Sequence, residues 1–363
     1  MTTDLLGTAL GFAFGTSALA ALCVTPLVRR VAGALGVIDR PSPRKIHRRP
    51  VPRMGGLAVC AAWLLGITAA SALAGDPALS RELWPPASLG CLVVMLTLLD
   101  DWRDLRGEFK LLIQVAVAAM VFAMDLRIDR ISNPMGGQII LPPFASWAVT
   151  TVWVVGMMNA LNLIDGLDGL AAGISGIAAF GLMAAGLQLE VTTSAVMLAA
   201  LSGACLGFLR HNFHPASIFL GDSGSQFLGY LFAVVPLVDH QYKAATAVTL
   251  LVPLTALTIP VYDTFLAAYR RMRGRRSVFS ADKFHLHHRL LRMGLTQRQA
   301  ALFMYLVSAY LCGLAVVFVL IPERYALILL VLLGMGLAMG MQTLRFLEFA
   351  VHRRARRGRR RRE

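Results

Sequence analysis

The sequence has few charged residues for its length. Only 15% of its 363 residues are Asp, Glu, Lys or Arg, whereas soluble globular proteins carry about 25%. Hydrophobic residues make up 57% of the chain and the mean hydropathy is +0.65. These values exclude a soluble enzyme and leave little chain for a separate globular domain, so we predict an all-α polytopic membrane protein.

Other common features are missing as well. The five cysteines lie inside apolar runs without the spacing of a metal site or a disulfide framework, and we interpret them as small core residues. No basic segment precedes the first apolar run, so we expect no cleaved signal peptide. The absence of an internal sequence repeat weighs against a transporter.

Apolar runs of helical length dominate what the sequence does contain. We count eleven predicted spans, at residues 5–28, 55–74, 85–99, 111–125, 146–161, 169–187, 194–209, 218–238, 245–269, 299–320 and 325–345. With the N-terminus outside, 30 of the 35 lysines and arginines fall on the cytoplasmic side, as the positive-inside rule requires. The C-terminus is then cytoplasmic.

This topology predicts how the chain is divided and which connections lie on each side of the membrane. Residues 1–345 form one transmembrane domain, and residues 346–363 form a basic cytoplasmic tail that we expect to contact membrane lipid and no nucleic acid. One outside connection, residues 126–143, alternates apolar and polar residues around Gly and Pro, a pattern that allows a short extracytoplasmic β-hairpin.

Residues 159–170 interrupt the apolar pattern most strongly. Two amides and two carboxylates recur there at every third position, accompanied by two glycines. On a straight helix, steps of three residues would spread these groups over about half the circumference. Asp-Gly pairs favour turns, so we predict that the helix breaks here and directs the polar side chains to one place.

Five carboxylates are predicted to meet at the cytoplasmic ends of the spans: Asp100, Asp101, Asp165, Asp168 and Asp222. Like charges packed closely raise one another's pKa unless a cation joins them. Oxygen ligands beside a phosphate favour Mg²⁺ or Mn²⁺. The acids therefore indicate a metal site.

Basic segments at residues 44–53 and 285–289 are predicted to lie around these acids. Taken alone, each segment is explained by its cytoplasmic position. Together with the acids, they indicate phosphoryl transfer, in which a metal and cations stabilise phosphate charge. The location at a membrane surface indicates that one substrate is a lipid.

Four sequence blocks resemble the signature blocks of the polyprenyl-phosphate N-acetylhexosamine-1-phosphate transferases, and most of all the WecA/TagO branch, which is related to MraY. The blocks are residues 100–101, 162–170, 212–225 and 285–288. The resemblance implies that polyprenyl phosphate, such as undecaprenyl phosphate, attacks the β-phosphorus of UDP-GlcNAc or a similar UDP-sugar and releases UMP. It implies Mg²⁺, a multi-pass transferase in the bacterial inner membrane and an initiating step of envelope glycan synthesis.

The resemblance also implies roles for individual positions. Asp222 is implied to be the principal metal ligand, and Asp100 and Asp101 to be a catalytic pair that engages the lipid phosphate and the metal. Which of the two would act as a base is left open. The residues implied to bind the donor substrate are Lys45, Asn162, Asp165, Asp168, Phe219, His285, His287, His288 and Arg289.

Several alternatives stay open at this stage. Asp104 departs from the family pattern, and Asp263 fits a site residue and a partner of a membrane-edge arginine equally well. UDP-MurNAc-pentapeptide is the alternative donor, although the forms of residues 45–56 and 285–289 favour UDP-GlcNAc. An ion-coupled transporter is a remote alternative, since transporters place such acids near mid-membrane. The polyprenol length, the glycan pathway and a homodimer are undetermined.

Overall fold

A computed structural model describes residues 3–41, 49–103, 105–132, 138–189, 191–239, 254–273 and 285–321, together with 325, 328, 331–336, 338–340 and 342–343. Eleven helices are assigned within these residues: α1 (Thr3–Ala34), α2 (Gly55–Ala74), α3 (Pro77–Arg103), α4 (Gly107–Ala123), α5 (Pro143–Ile164), α6 (Leu170–Gln188), α7 (Thr192–Asn212), α8 (Gly221–Val238), α9 (Thr258–Arg273), α10 (Leu286–Arg292) and α11 (Gln297–Leu320).

Sheet structure in the described residues is limited to two pairs of short antiparallel strands. Strand β1 (Ile38–Asp39) pairs with β2 (Val51–Pro52), and β3 (Arg130–Ser132) pairs with β4 (Gln138–Ile140). The second pair lies in the connection for which the sequence allows a hairpin. Its position outside the membrane stays a prediction.

The helical, membrane-spanning character predicted from composition is confirmed. Seven helices in the described chain are long and apolar enough to cross a membrane, namely α1, α2, α3, α5, α6, α7 and α11. The predicted count of eleven spans and the orientation of the termini stay predictions. Helix α4, with 17 residues, is too short to count as a clear span. Helix α8 begins with polar residues and is not among the clear spans either.

Helix α8 lies at the centre of the bundle, where every residue from 223 to 235 is buried. Helices α3 and α5 pack along it, while α1 packs against α2 and α7 on one side. Close approach of α1 and α7 depends on small residues, since a Cβ on Gly207 would lie 2.2 Å from the carbonyl oxygen of Ala18. The packing of α8 against its neighbours therefore fixes the positions of both of its ends.

The predicted break at residues 159–170 is present. Helix α5 ends at Ile164 and α6 begins at Leu170, with Gly169 in a left-handed conformation at the start of α6 (φ 76°). The connecting residues 165–169, which we call the acidic turn, face the same end of the bundle as the start of α8. Tyr305 of α11 donates a hydrogen bond to the carbonyl of Gly169 at 2.6 Å and so ties this turn to α11.

Candidate active site

Asp101 connects the end of α3 to the start of α8. Its side chain is buried, and its two oxygens accept hydrogen bonds from the backbone N–H groups of Asp222 (2.7 Å) and Ser223 (3.2 Å) and from the Ser223 hydroxyl. A carboxylate at a helix start satisfies N–H groups that lack helical partners and interacts favourably with the helix dipole. Asp101 thus fixes the position of Asp222.

Gly221 makes this close contact feasible. Its φ of 79° lies in the left-handed region that favours glycine, and a Cβ there would lie 2.6 Å from Asp101 Oδ1. The geometry therefore explains the glycine of the Gly-Asp-Ser segment: the glycine turns the chain, and the next two N–H groups face Asp101.

Asp222 lies in the first turn of α8 and has three polar neighbours from other elements. Asn162 of α5 donates to Asp222 Oδ1 at 2.6 Å and to the Ser225 hydroxyl at 2.9 Å. Lys110 Nζ lies 3.1 Å and Arg53 Nη2 3.7 Å from Asp222 Oδ2. The Asp222 side chain keeps 15% of its surface exposed, so a ligand can reach it.

Lys110 bridges two of the predicted acids. Its Nζ lies 2.7 Å from Asp100 Oδ2, while Asp100 Oδ1 accepts the N–H of Leu105 at 2.8 Å. The same ammonium therefore pairs with both Asp100, which is 1% exposed, and Asp222. Two carboxylates that share one cation mark a place suited to a metal ion or a phosphate group.

Asp165 stands in the acidic turn beside these groups. Burial, together with the nearby carboxylates of Asp222 and Asp101, raises the pKa of Asp165 to about 8. A carboxyl that holds its proton near neutral pH can donate a hydrogen bond, unlike an ionised one. In its protonated form the Asp165 carboxyl therefore offers both a hydrogen-bond donor and an acceptor.

Asp168, at the other end of the acidic turn, is directed to a different partner. His214 Nδ1 donates to Asp168 Oδ2 at 2.7 Å, and the N–H of Ala216 donates to the same oxygen at 3.1 Å. Arg298 at the start of α11 donates to the carbonyl of His214 at 3.0 Å. Asp168 thus holds the loop between α7 and α8, whose end leads directly into Phe219 and Asp222.

His287 of α10 contacts the acidic turn. His287 is 1% exposed, and a Cβ on Gly166 would lie 2.3 Å from His287 Nε2, so the ring rests against the turn. Burial, then the neighbouring His288 and His285, lower the pKa of His287 to about 3. The ring is therefore neutral at physiological pH.

The remaining predicted residues have different placements. Phe219 is half-buried in a backbone segment that hydrogen-bonds to residues 52 and 55, His288 is half-buried, and Arg289 is buried in α10. Lys45 and Asp104 lie outside the described residues. The structure thus brings Asp100, Asp101, Asn162, Asp165 and Asp222 together and places His287 against the acidic turn.

Three contributors were missing from the sequence-based site. Arg53 lies within the basic segment at residues 44–53 and His214 within the block at residues 212–225, whereas Lys110 belongs to neither. Lys110 and Asp222 are 112 residues apart, so no local pattern links them. The only available signal was that a lysine follows an acid pair near the same predicted span end.

A divalent cation would find suitable groups at Asp222 and Asp100, whose oxygens face one ammonium. No three His, Cys, Asp or Glu side chains form a ready metal cage in the described ranges. That arrangement suits Mg²⁺, which commonly uses one or two carboxylates and completes its shell with waters and substrate phosphates.

Comparisons with known proteins identify a family and relatives of the chain. Residues 84–239 match the family described as Glycosyl transferase family 4. The chain is 37% identical over 301 residues to a probable undecaprenyl-phosphate N-acetylglucosaminyl 1-phosphate transferase of Bacillus subtilis, an alignment that covers 82% of this chain and 81% of the relative.

Two further relatives have related names. A decaprenyl-phosphate N-acetylglucosaminephosphotransferase of Mycobacterium tuberculosis is 37% identical over 318 residues, which cover 80% of this chain and 78% of the relative. An undecaprenyl-phosphate alpha-N-acetylglucosaminyl 1-phosphate transferase of Salmonella typhi is 31% identical over 310 residues, with 80% and 78% covered. With a buried acid cluster at the ends of its membrane helices and relatives that align along most of its length, the chain belongs to the polyprenyl-phosphate N-acetylhexosamine-1-phosphate transferase family.

Proposed function

We propose that this protein transfers N-acetylglucosamine-1-phosphate from UDP-GlcNAc to a polyprenyl phosphate. A phosphate oxygen of the lipid attacks the β-phosphorus of the donor, the bond between that phosphorus and the bridging oxygen breaks, and UMP leaves. The observation that carries the proposal is the Lys110 ammonium shared by Asp100 and Asp222 at the end of a bundle of apolar helices. The names of the aligned relatives support the same reaction.

The cationic side chains are suited to hold the phosphates. Lys110 and Arg53 approach Asp222 from different elements, α4 and the segment after β2. Preorganised cations stabilise the charge that develops on phosphoryl oxygens in the transition state. We assign to Lys110 the lipid phosphate, because Lys110 lies in the first turn of the apolar helix α4, and to Arg53 the donor diphosphate.

The three predicted catalytic acids receive different roles in this proposal. Asp222 and Asp100 would hold Mg²⁺, which supplies Lewis-acid stabilisation of the diphosphate when bound. Asp101 would act by position, since its oxygens already accept the N–H groups at the start of α8. Mn²⁺ would satisfy the same oxygen ligands.

The donor would lie along the acidic turn and α10. Asn162 and Asp165 can hydrogen-bond to polar groups of the nucleotide sugar, and neutral His287 offers one donor and one acceptor to the diphosphate. Phe219, half-buried at the edge of the site, is suited to stack on the uracil base. We place this site on the cytoplasmic face of the bacterial inner membrane, where the predicted positive-inside topology puts the ends of α3 and α5.

The test measures UMP release by the purified protein with Mg²⁺, undecaprenyl phosphate and one donor at a time: UDP-GlcNAc, UDP-GalNAc or UDP-MurNAc-pentapeptide. We expect the highest kcat/KM with UDP-GlcNAc and a lipid-diphosphate sugar as the second product. Faster turnover of UDP-MurNAc-pentapeptide would replace the donor and leave the phosphoryl transfer standing. UMP release that does not require the lipid phosphate would contradict the transferase.

A further inference from the structure

Asp263 is a buried carboxylate of α9 that the proposed reaction does not use. It is 6% exposed, and its side chain faces the start of α10. His285 Nδ1 donates to Asp263 Oδ2 at 3.0 Å, and the N–H of Leu286 lies 3.2 Å from both Asp263 oxygens. Asp263 therefore contacts two consecutive residues where α10 begins.

The contact with Leu286 replaces a missing local cap. His285 is the N-cap residue of α10 but supplies no side-chain hydrogen bond to the helix. A carboxylate that accepts a first-turn N–H performs the function of an N-cap and is favoured by the helix dipole. Asp263 thus fixes the start of a seven-residue helix from a different helix, α9.

The contact with His285 fixes the chemistry of its ring. A carboxylate is an acceptor, so the proton at His285 must lie on Nδ1, which leaves Nε2 as an acceptor in the neutral ring. The His285 and His287 rings are parallel within 5° and their centroids are 5.8 Å apart. The orientation of the first ring therefore constrains the second.

The chain of contacts ends at the acidic turn. His287 rests on Gly166, and neither of its ring nitrogens has a hydrogen-bond partner among the described residues. A buried imidazole without partners is costly unless a ligand or water satisfies it. Its contact with Gly166 places the ring at the acidic turn, beside the proposed donor site.

We propose that Asp263 is a positioning residue for the donor site: it fixes the Nδ1–H form of His285 and seats His287 on the acidic turn. This inference rests on the proposed function, because it concerns binding of the nucleotide sugar. It favours the site role of Asp263 over the arginine partnership that the sequence left open.

The main test variant is Asp263→Asn, which keeps the shape of the side chain. With its amide oxygen at the Oδ1 position it still accepts the Leu286 N–H, and in that orientation its amide nitrogen donates to His285 Nδ1 and selects the Nε2–H form of the ring. Groups that fix a histidine's tautomer at metal sites commonly contribute about 10- to 100-fold. We expect the KM for UDP-GlcNAc to rise about tenfold, with the KM for polyprenyl phosphate changed less than twofold.

A matched control is Asp239→Asn, since Asp239 accepts the N–H of Ser194 in the first turn of α7. The same chemical change there should leave both KM values unchanged. A donor KM within twofold of wild type in folded Asp263→Asn would overturn the proposal. Equal losses for donor and lipid would assign Asp263 a purely structural role and overturn it as well.

A second readout is independent of the donor. The ¹⁵N signals of the His285 ring, assigned by their loss in His285→Gln, should report Nδ1–H in wild type and Nε2–H in Asp263→Asn. An unchanged tautomer would overturn the proposal even if the wild-type protein used another nucleotide sugar. Failure of UDP-GlcNAc turnover in wild type, with the tautomer change present, would instead contradict only the proposed function.

Discussion

Helix α8 carries an aspartate in its first turn and another directly after its last residue, and the two carboxylates have different partners. Asp222 meets Lys110, Arg53 and the Asn162 amide. Asp239 accepts the N–H and the hydroxyl of Ser194 at the start of α7. The first carboxylate is held by side chains that can also bind phosphate, whereas the second satisfies another helix.

The environments of the two ends differ in charge as well as in contacts. Near Asp239, Glu82 accepts a hydrogen bond from Thr193, and burial followed by the Glu82 charge raises the pKa of Asp239. At the other end, two cations approach Asp222. A buried aspartate at a helix end is therefore a strong candidate for chemistry only where its partners are cations and its oxygens remain reachable.

The largest expected effect separates these two ends directly. Asp222→Asn keeps the side-chain shape and the Asn162 contact but removes the charge that faces Lys110, so turnover should fall by at least about 100-fold. Asp239→Asn should retain turnover within twofold, because asparagine also caps helix starts well. UMP release measured beside the thermal unfolding midpoint distinguishes lost chemistry from lost folding. Equal inactivation by both variants would remove the functional contrast between the two ends.

Removal of divalent metal should affect only the Asp222 end. We expect excess EDTA to abolish UMP release and Mg²⁺ to restore it, with little change in the unfolding midpoint, since the cluster keeps Lys110 and Arg53 as internal cations. With metal present, excess UMP added to the lipid product should regenerate UDP-sugar, because one diphosphate bond is exchanged for another. Full activity in EDTA would contradict the metal site.

Lys110→Gln tests whether the ammonium occupies the place of a second cation. We expect turnover to fall about 10- to 100-fold because one phosphate-binding charge is lost. Mn²⁺ binding, followed by electron paramagnetic resonance, should become tighter, since Asp100 and Asp222 would no longer share a competing ammonium. Weaker Mn²⁺ binding would show that Lys110 does not compete with the metal.

The two ends also show what the sequence could and could not predict. The acid pair, the Asp165–Asp168 turn and Asp222 stood out because carboxylates are rare in apolar segments, and glycines located the break between α5 and α6. The residues that these carboxylates contact could not be predicted from the sequence in the same way. Asp168 meets His214 across 46 residues and Asp101 meets Ser223 across 122, so their roles depend on the packing of α8 against α3 and α5.

That packing explains why equal residue types received unequal roles. Asp100 and Asp101 are neighbours in sequence, yet consecutive residues on a helix point in directions about 100° apart. One side chain therefore meets Lys110 while the other meets the start of α8. A sequence motif identifies such a pair, and the neighbouring helices then decide which member faces the substrate.

The smallest expected effect concerns acid stability near the Asp222 end. His287 has a pKa of about 3 in the folded protein because of its burial and its histidine neighbours, whereas an unfolded histidine titrates near about 6.5. As the pH falls below about 6.5, the unfolded chain gains a proton that the folded site refuses, so stability decreases until the pH approaches 3. By pH 5 the loss should be about 2 kcal/mol.

His287→Gln isolates this contribution. Glutamine keeps a donor and an acceptor but does not titrate, so the fall in the unfolding midpoint between pH 7.5 and pH 5 should be smaller in the variant than in wild type. Each protein serves as its own control at pH 7.5, which removes the packing effect of the substitution. Asp239, whose pKa is raised, should respond in the opposite sense, because acid relieves the cost of its buried charge. An identical pH response of wild type and His287→Gln would mean that His287 gains its proton as readily in the folded protein as in the unfolded chain, and would contradict its neutral, buried state beside the acidic turn.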